Sequence, residues 1–561
     1  MNSPRYIVPP PEWEEHERPT LPGSPAKIAH STRRRVAYLL VALLIGMAGG
    51  LGNGLVVANQ QAIQGQLGLT PVEAAWLPAV YYMVNMTANL LVFKTRQQFG
   101  LRAFAEWGLG IYAFVAVLHL FIHTYEMSLL VRAVSGMSAA AATSLATLYM
   151  VQVFPPTKVL SAFIIGMNLS SIAVPLAWVL SPSLVDISPW PSLYAFEAGL
   201  ALCSLAAVIV LKLPSSVQIH VFEPLDFLTF ALVAPAIALL CAVLVQGVNA
   251  WWFDTPWLAW ALAASLVLFA LAAVLEYSRR TPLIQLRWLL HPSTLAFMLG
   301  AIVMRFMVAE QSYGVVGLLR MLGMQPEQLQ PLYAVICAGM VLGTVVGAAV
   351  FSPQRVLWMI LASIALIGVG GWLDWHATSQ VRPHDFFFSQ FLISFAAALF
   401  IGPILISGFM QVLAKGLDHL ITFIVLFSVT QSLGGVLGPA LLGTMQAQRT
   451  QAYVQAIAAG MPASDPQVAQ RLQIQQQPYA RVQTDPMLRS AQGRSQLAQT
   501  VRREAGVRAY NDVFVLIALM AFSFLGYAVL RYVYTRYKAD VHPRIASAVT
   551  RKLSPETDPA P

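Results

Sequence analysis

Charge is what this chain has least of. Asp, Glu, Lys and Arg make up 11% of its 561 residues, against 57% hydrophobic ones, whereas a soluble chain carries roughly a quarter charged residues. Most of its surface therefore does not face water. Cysteine is scarce too: Cys203, Cys241 and Cys337 all fall in apolar stretches without metal-site spacing, so neither a disulfide framework nor a metal site is expected. There is no Walker-type phosphate loop, no HExxH and no dinucleotide fingerprint. ATP-driven pumping and enzyme chemistry thus lack residues to support them, and no cofactor is expected. The net charge of +9 lies along loops and tails rather than in a compact basic domain, so nucleic acid is not the expected partner.

What the chain has in abundance is apolar segments of about 20 residues, the length that crosses a bilayer as a helix. They lie near 36–59, 74–93, 103–122, 127–150, 158–181, 191–212, 225–246, 256–276, 294–318, 329–352, 355–374, 385–410, 417–445 and 511–534. Backbone amides and carbonyls find no water in lipid, so each crossing must be a helix. The expected fold is an all-α polytopic membrane protein with fourteen transmembrane helices, solvated by membrane lipids. Lys and Arg concentrate in alternate short connections, Arg33, Arg34, Lys94, Arg96, Arg102, Lys158, Lys212, Arg279, Arg355 and Lys415 among them, while the opposite set holds little beyond Arg320 and Arg382. That asymmetry places both termini in the cytoplasm.

Residues 1–35 are rich in proline and glutamate and read as a disordered cytoplasmic tail; residues 535–561 read as a second tail. Trp251, Trp252, Phe253 and Trp257, and Trp372 with Trp375, suit the headgroup level. Gly339, Gly343 and Gly347 suit close packing of the tenth helix. The outer segment 446–509 holds fourteen glutamines, eight arginines and three acids. Its prolines cluster at Pro462, Pro466, Pro478 and Pro486, which predicts a helical hairpin broken at its tip. Tyr453 with Ile457, and Leu497 with Val501, have the i, i+4 spacing to pack its arms, while Gly493 and Gly506 are expected to weaken the second arm.

Ionisable groups deep in a crossing are costly and raise a functional hypothesis by default. Arg132 and Glu197 lie in the outer halves of helices four and six. On helix nine, Arg305 lies roughly 16 Å and Glu310 roughly 24 Å from the inner end. A carboxylate that alternates between water on the two sides can carry protons, and Glu310, then Glu197, are the candidates. Each is also open to a purely structural reading as a paired or snorkelling charge. Asn53 is a candidate ligand in the pathway, and Pro175, Gly402, Pro403, Gly438 and Pro439 mark points of helix bending or gating.

The pattern resembles the fourteen-helix drug:proton antiporter branch of the major facilitator superfamily, EmrB-like permeases in particular. The resemblance rests on Trp76 and Tyr81 in helix two, the RxxxG element Arg132 and Gly136, the sequence Pro282, Leu283, Ile284, Gln285 and Leu286 before helix nine, and Tyr510, Asn511, Asp512, Val513 and Phe514 opening the last helix. Three departures stand out. The loop after helix two reads QQFGLR without an acid, the family's acid on helix one falls near Gly52 or Asn53, and its fifth-helix motif survives only as Pro175. The resemblance implies two six-helix bundles, 36–212 and 294–534, with two inserted helices over 225–276. It further implies a multidrug efflux permease of the bacterial inner membrane, moving amphipathic or aromatic compounds against protons. Its partners would be a periplasmic adaptor (a membrane fusion protein), docked at the hairpin near Tyr453 and Leu497, and an outer-membrane channel. A dedicated metabolite or siderophore exporter, or a non-transporting scaffold or sensor, are the alternatives.

Overall fold

In a computed structural model describing residues 6–8, 12–14, 17–19, 23–121, 124–187, 191–279, 282–415, 419–462, 464–482 and 484–553, thirteen helices are long and apolar enough to cross a membrane. The first is α1, Thr32–Ala58. The second, Pro71–Leu118, has 48 residues, which at 1.5 Å each span about 72 Å, more than twice a hydrocarbon core. It breaks at Gly100, whose φ of +81° belongs to glycine. Its limbs, α2 before Gly100 and α3 after it, are separate crossings, so thirteen helices make fourteen passes. There follow α4 (Tyr125–Val153), α5 (Val159–Ile187), α6 (Pro191–Val210), α7 (Pro224–Asn249) and α8 (Pro256–Ser278). Next come α9 (Pro292–Ala309), extended by a π-helical turn Glu310–Val315 and by Val316–Met321, then α10 (Pro326–Val350), α11 (Val356–Asp374), α12 (Phe387–Lys415) and α13 (Leu420–Ala459). The last are α14 (Pro466–Gln476) and α15 (Pro486–Leu553). Many open on proline, whose missing N–H costs nothing in a first turn. Among the described residues the only extended pairing is a bridge between Tyr6 and Ile219.

Helices α1–α6 pack as one half, and α9–α13 with α15 as the other. Along α5 the halves meet at both ends. Ser161 Oγ donates to Ala348 O at 2.9 Å at the end carrying the N-terminal residues, the tail end. Gln330 Nε2 donates to Val179 O at 2.7 Å at the opposite, hairpin end, where Trp178 stacks on Tyr333 with centroids 4.5 Å apart and Arg320 lies over the indole. The inserted pair covers the other seam: Ile237 and Cys241 of α7 share one apolar cluster with Met86 and Leu90 of α2 and Val436 and Ala440 of α13. Trp252 donates its Nε1–H to Thr444 Oγ1 at 2.7 Å, tying the inserted pair to α13.

At the tail end, basic residues that read as topology signals are built into a charge network. Lys94 Nζ pairs with Asp226 Oδ2, and Arg279 Nη2 with Asp226 Oδ1 at 3.0 Å and Glu223 Oε2 at 3.1 Å. Arg279 Nη1 pairs with Glu276 Oε1 at 2.7 Å, and the Ile284 N–H donates to Glu276 Oε2 at 2.9 Å. The freely mobile tail expected over 1–35 is corrected for its described part. Ile7, Gly23 and Ala26 donate backbone bonds to Gln218, Val217 and Ser215, Ala26 is buried, and α1 already begins at Thr32. The 211–223 linker offers unpaired backbone groups, and these residues satisfy them. The second tail, expected over 535–561, continues α15 as helix to Leu553.

At the hairpin end α13 runs on to Ala459, and α14 folds back on α15. Gly493 and Gly506 prove to be contact points rather than weak links. A Cβ at Gly493 would lie 2.7 Å from Gln476 Cγ, and Gly506 abuts Met321 Sδ. Tyr453 OH donates to Asp512 Oδ2 at 2.9 Å, so this side chain holds the arms together. On α10, Gly343 packs against the carbonyl of Phe395 on α12. Gly343→Ala is expected to cost about 1–3 kcal/mol by overpacking, read as a lower denaturation midpoint in detergent; an unchanged midpoint would refute the tight contact.

Candidate functional site: buried charges in both halves

Each half carries a charged cluster in the part of the bundle nearer the hairpin. In the first half Arg132 of α4 and Glu197 of α6 are brought together: Arg132 Nη2 donates to both Glu197 oxygens, at 2.6 and 2.8 Å. Arg132 Nη1 donates to the Gly52 carbonyl on α1, and the Tyr112 hydroxyl of α3 donates to Glu197 Oε1 at 2.9 Å. Arginine is 1% and glutamate 5% exposed. Gly52, where the resemblance expects an acid, leaves its carbonyl and the space beside it to this pair. A cavity of about 10 Å³ bordered by Gly49, Tyr112, Ser135, Ser138 and Ser204 adjoins it, the size of one water. The two charges offset each other in this two-oxygen contact.

The second half has the opposite arithmetic. Glu310 begins the π-helical turn after α9 and is fully buried; Asp374, the last residue of α11, is 4% exposed. Gln390 Nε2 of α12 donates to Glu310 Oε1 at 3.2 Å and Oε2 at 3.1 Å, and to Asp374 Oδ2 at 3.0 Å. Both carboxyl groups thus converge on one amide nitrogen and lie close to each other. No cation pairs with either among the described residues. Two buried carboxylates this close do not both ionise, since each disfavours the charged form of the other. The π turn inserts an extra residue into the helix, a device common at functional sites, and Gly314 on it leaves room for Glu310 beneath Phe514.

Asp374 escaped the sequence reading because it closes an apolar crossing beside Trp375, where an acid reads as interfacial. The signal that it mattered was its place inside the eleventh hydrophobic segment. Asn53 Nδ2 donates to the Tyr82 hydroxyl at 3.4 Å across α1 and α2. Arg305 is half-buried on α9 and packs over Gly434 and Gly435 of α13, apart from Glu310 on another face. Pro175, Pro403 and Pro439 lie inside α5, α12 and α13. Gly402 meets Ile164 of α5 and so lets the halves touch, while Gly438 meets Ala309 and seats α13 against α9 beside Glu310. Leu497 lies half-buried on the hairpin arm of α15. Among the described residues no group of three or more His, Cys, Asp or Glu is placed to hold a metal ion.

The arrangement is that of a two-halved membrane protein with charges held at the interior. A crystal structure of the human organic anion transporter MFSD10 (TETRAN) is similar to this chain, with a TM-score of 0.52 at 13% identity over 88% of this chain and 100% of that one. A crystal structure of a bacterial homologue of the human lysosomal transporter Spinster, inward-facing and unoccupied, gives a TM-score of 0.48 at 14% identity, over 90% of this chain and 99% of that one. At 13% identity the likeness to MFSD10 concerns fold alone. No curated protein matches the chain. The model of the Major Facilitator Superfamily matches residues 38–439, most of the chain; this multi-pass membrane protein belongs to that superfamily of transporters.

Proposed function

We propose that the chain is a secondary exporter that moves amphipathic or aromatic organic compounds, drugs and toxins among them, against protons moving inward. In this reading it is an EmrB-like permease of the bacterial inner membrane with both termini in the cytoplasm. The observation that carries the reading is the buried Glu310–Asp374 pair bridged by Gln390. A pair of carboxyls without a cation retains a proton while shut away from water and releases it when one side opens, which is what coupling to a proton gradient requires. The Arg132–Glu197 pair is neutral as it stands and acts as a lock between α1, α4 and α6.

The hairpin supports a tripartite assembly. Its α14–α15 region exposes Val482, Met487 and Leu488 beyond the crossings, an apolar surface suited to a periplasmic adaptor that leads to an outer-membrane channel. In proteoliposomes with an imposed pH gradient, amphipathic dyes are expected to accumulate and to be released by a protonophore. Accumulation at equal rate without the gradient would rule out antiport. Cross-linking from position 497 to a co-expressed adaptor tests the assembly separately, and full export after removal of the hairpin would count against it.

A further inference from the structure

Among the described residues, three polar groups on α1, α9 and α13 have no hydrogen-bond partner. Arg305 is half-buried and, among the described residues, has neither an ion pair nor a hydrogen-bond acceptor. The helix facing it, α13, presents glycine: a Cβ at Gly435 would lie 3.5 Å from Arg305 Nε and 3.6 Å from Nη2, so the guanidinium lies on a surface without side chains. One turn away on α13, at i−4 from Gly435, Gln431 Nε2 is buried without an acceptor. Across the boundary between the halves, Tyr82 of α2 lies within electrostatic reach of Arg305. Its hydroxyl accepts from Asn53 Nδ2, while Asn53 Oδ1, on a side chain 6% exposed, has no donor.

Burying such groups unsatisfied is costly, the charged one most of all, whereas Arg132 in the first half has a carboxylate and a carbonyl as acceptors. The unmet set is specific: a cation and an amide donor from α9 and α13, and one acceptor from α1. Its complement is a group with anionic acceptor oxygens and a nearby donor. We infer that Arg305, Gln431 and Asn53 form the binding site for the carboxylate end of an aromatic or amphipathic organic acid, with Arg305 and Gln431 Nε2 donating to the carboxylate and Asn53 Oδ1 accepting from a neighbouring hydroxyl or N–H. The Tyr82 ring borders the site on the first half. A carboxylate held there touches both halves, so its arrival is felt by each. The inference rests on the exporter reading and narrows its substrates to acids.

The full chain in lipid nanodiscs is titrated with 2-naphthoate and with its neutral counterpart 2-naphthamide, following probe fluorescence in low salt. Arg305→Gln is expected to weaken naphthoate binding by about tenfold or more, the loss of a charge-assisted contact. Gln431→Glu, which sets a carboxylate of the protein's own beside Arg305, is expected to do the same, while naphthamide binding changes by less than about twofold. Unchanged naphthoate affinity in both variants, equal losses for both probes, or no naphthoate binding to the wild type each overturns the site. Gradient-driven transport with no Arg305-dependent preference for the acid sinks the anion site alone. Arg305-dependent binding of naphthoate without gradient-driven transport supports the anion site and sinks the exporter reading alone.

Discussion

Glu310→Gln is expected to reduce pH-gradient-driven transport to the background of empty liposomes while leaving substrate exchange at equal pH on both sides. The amide keeps the shape and one hydrogen-bond acceptor for Gln390 Nε2, so packing around the π-helical turn survives, but it holds no transferable proton. Asp374→Asn leaves Glu310 with a neutral neighbour and removes the mutual repulsion that helps the pair retain its proton. Partial coupling with an altered pH dependence is the expected outcome. Gradient-driven uptake at wild-type rate in Glu310→Gln would show that protons travel elsewhere. Loss of exchange as well as coupling would show that the residue serves the fold.

The second large effect concerns stability. Arg132→Gln leaves the Glu197 carboxylate buried with only the Tyr112 hydroxyl, and removing one partner of such a pair costs about 3–5 kcal/mol. The variant is expected to denature at a markedly lower temperature in detergent and to reach the membrane poorly. Replacing both partners, Arg132→Met with Glu197→Leu, removes the stranded charge and is expected to recover much of the loss. If the single and double variants are equally unstable, the pair is not the source of the stability. A double variant that still couples transport to protons would fit the assignment of proton handling to the other half.

The fourteen crossings were legible because lipid imposes both length and composition on each one, and only the join at Gly100 hides a pass inside a longer helix. Embedded charges were legible one at a time: Arg132, Glu197, Arg305 and Glu310 each stand out against an apolar window. Their pairing was not, because partners sit on different helices and spacing along the chain says nothing about contacts between helices. That is why Glu197 was singled out without Arg132 as its partner, and why Asp374, at a helix end, was not singled out at all. Lys94 and Arg279 read only as topology signals, since a basic residue at a membrane edge satisfies the loop-charge rule whether or not it pairs with Asp226. Gly493 and Gly506 were misjudged for the related reason that propensity counts the cost of glycine in a helix and misses the neighbour that needs the space.

The roof formed by α7 and α8 over the junction of α2 and α13 also bears on how a greasy solute travels. A transporter built from two bundles has two flanks along which something dissolved in the bilayer can slip toward the middle. Here one flank is thatched by a helix pair that shares side-chain packing with both bundles, whereas on the other α5 and α10 turn Val174, Val341 and Val345 directly outward. The covering pair makes the two flanks unlike, so the molecule has a front and a back within the plane of the membrane.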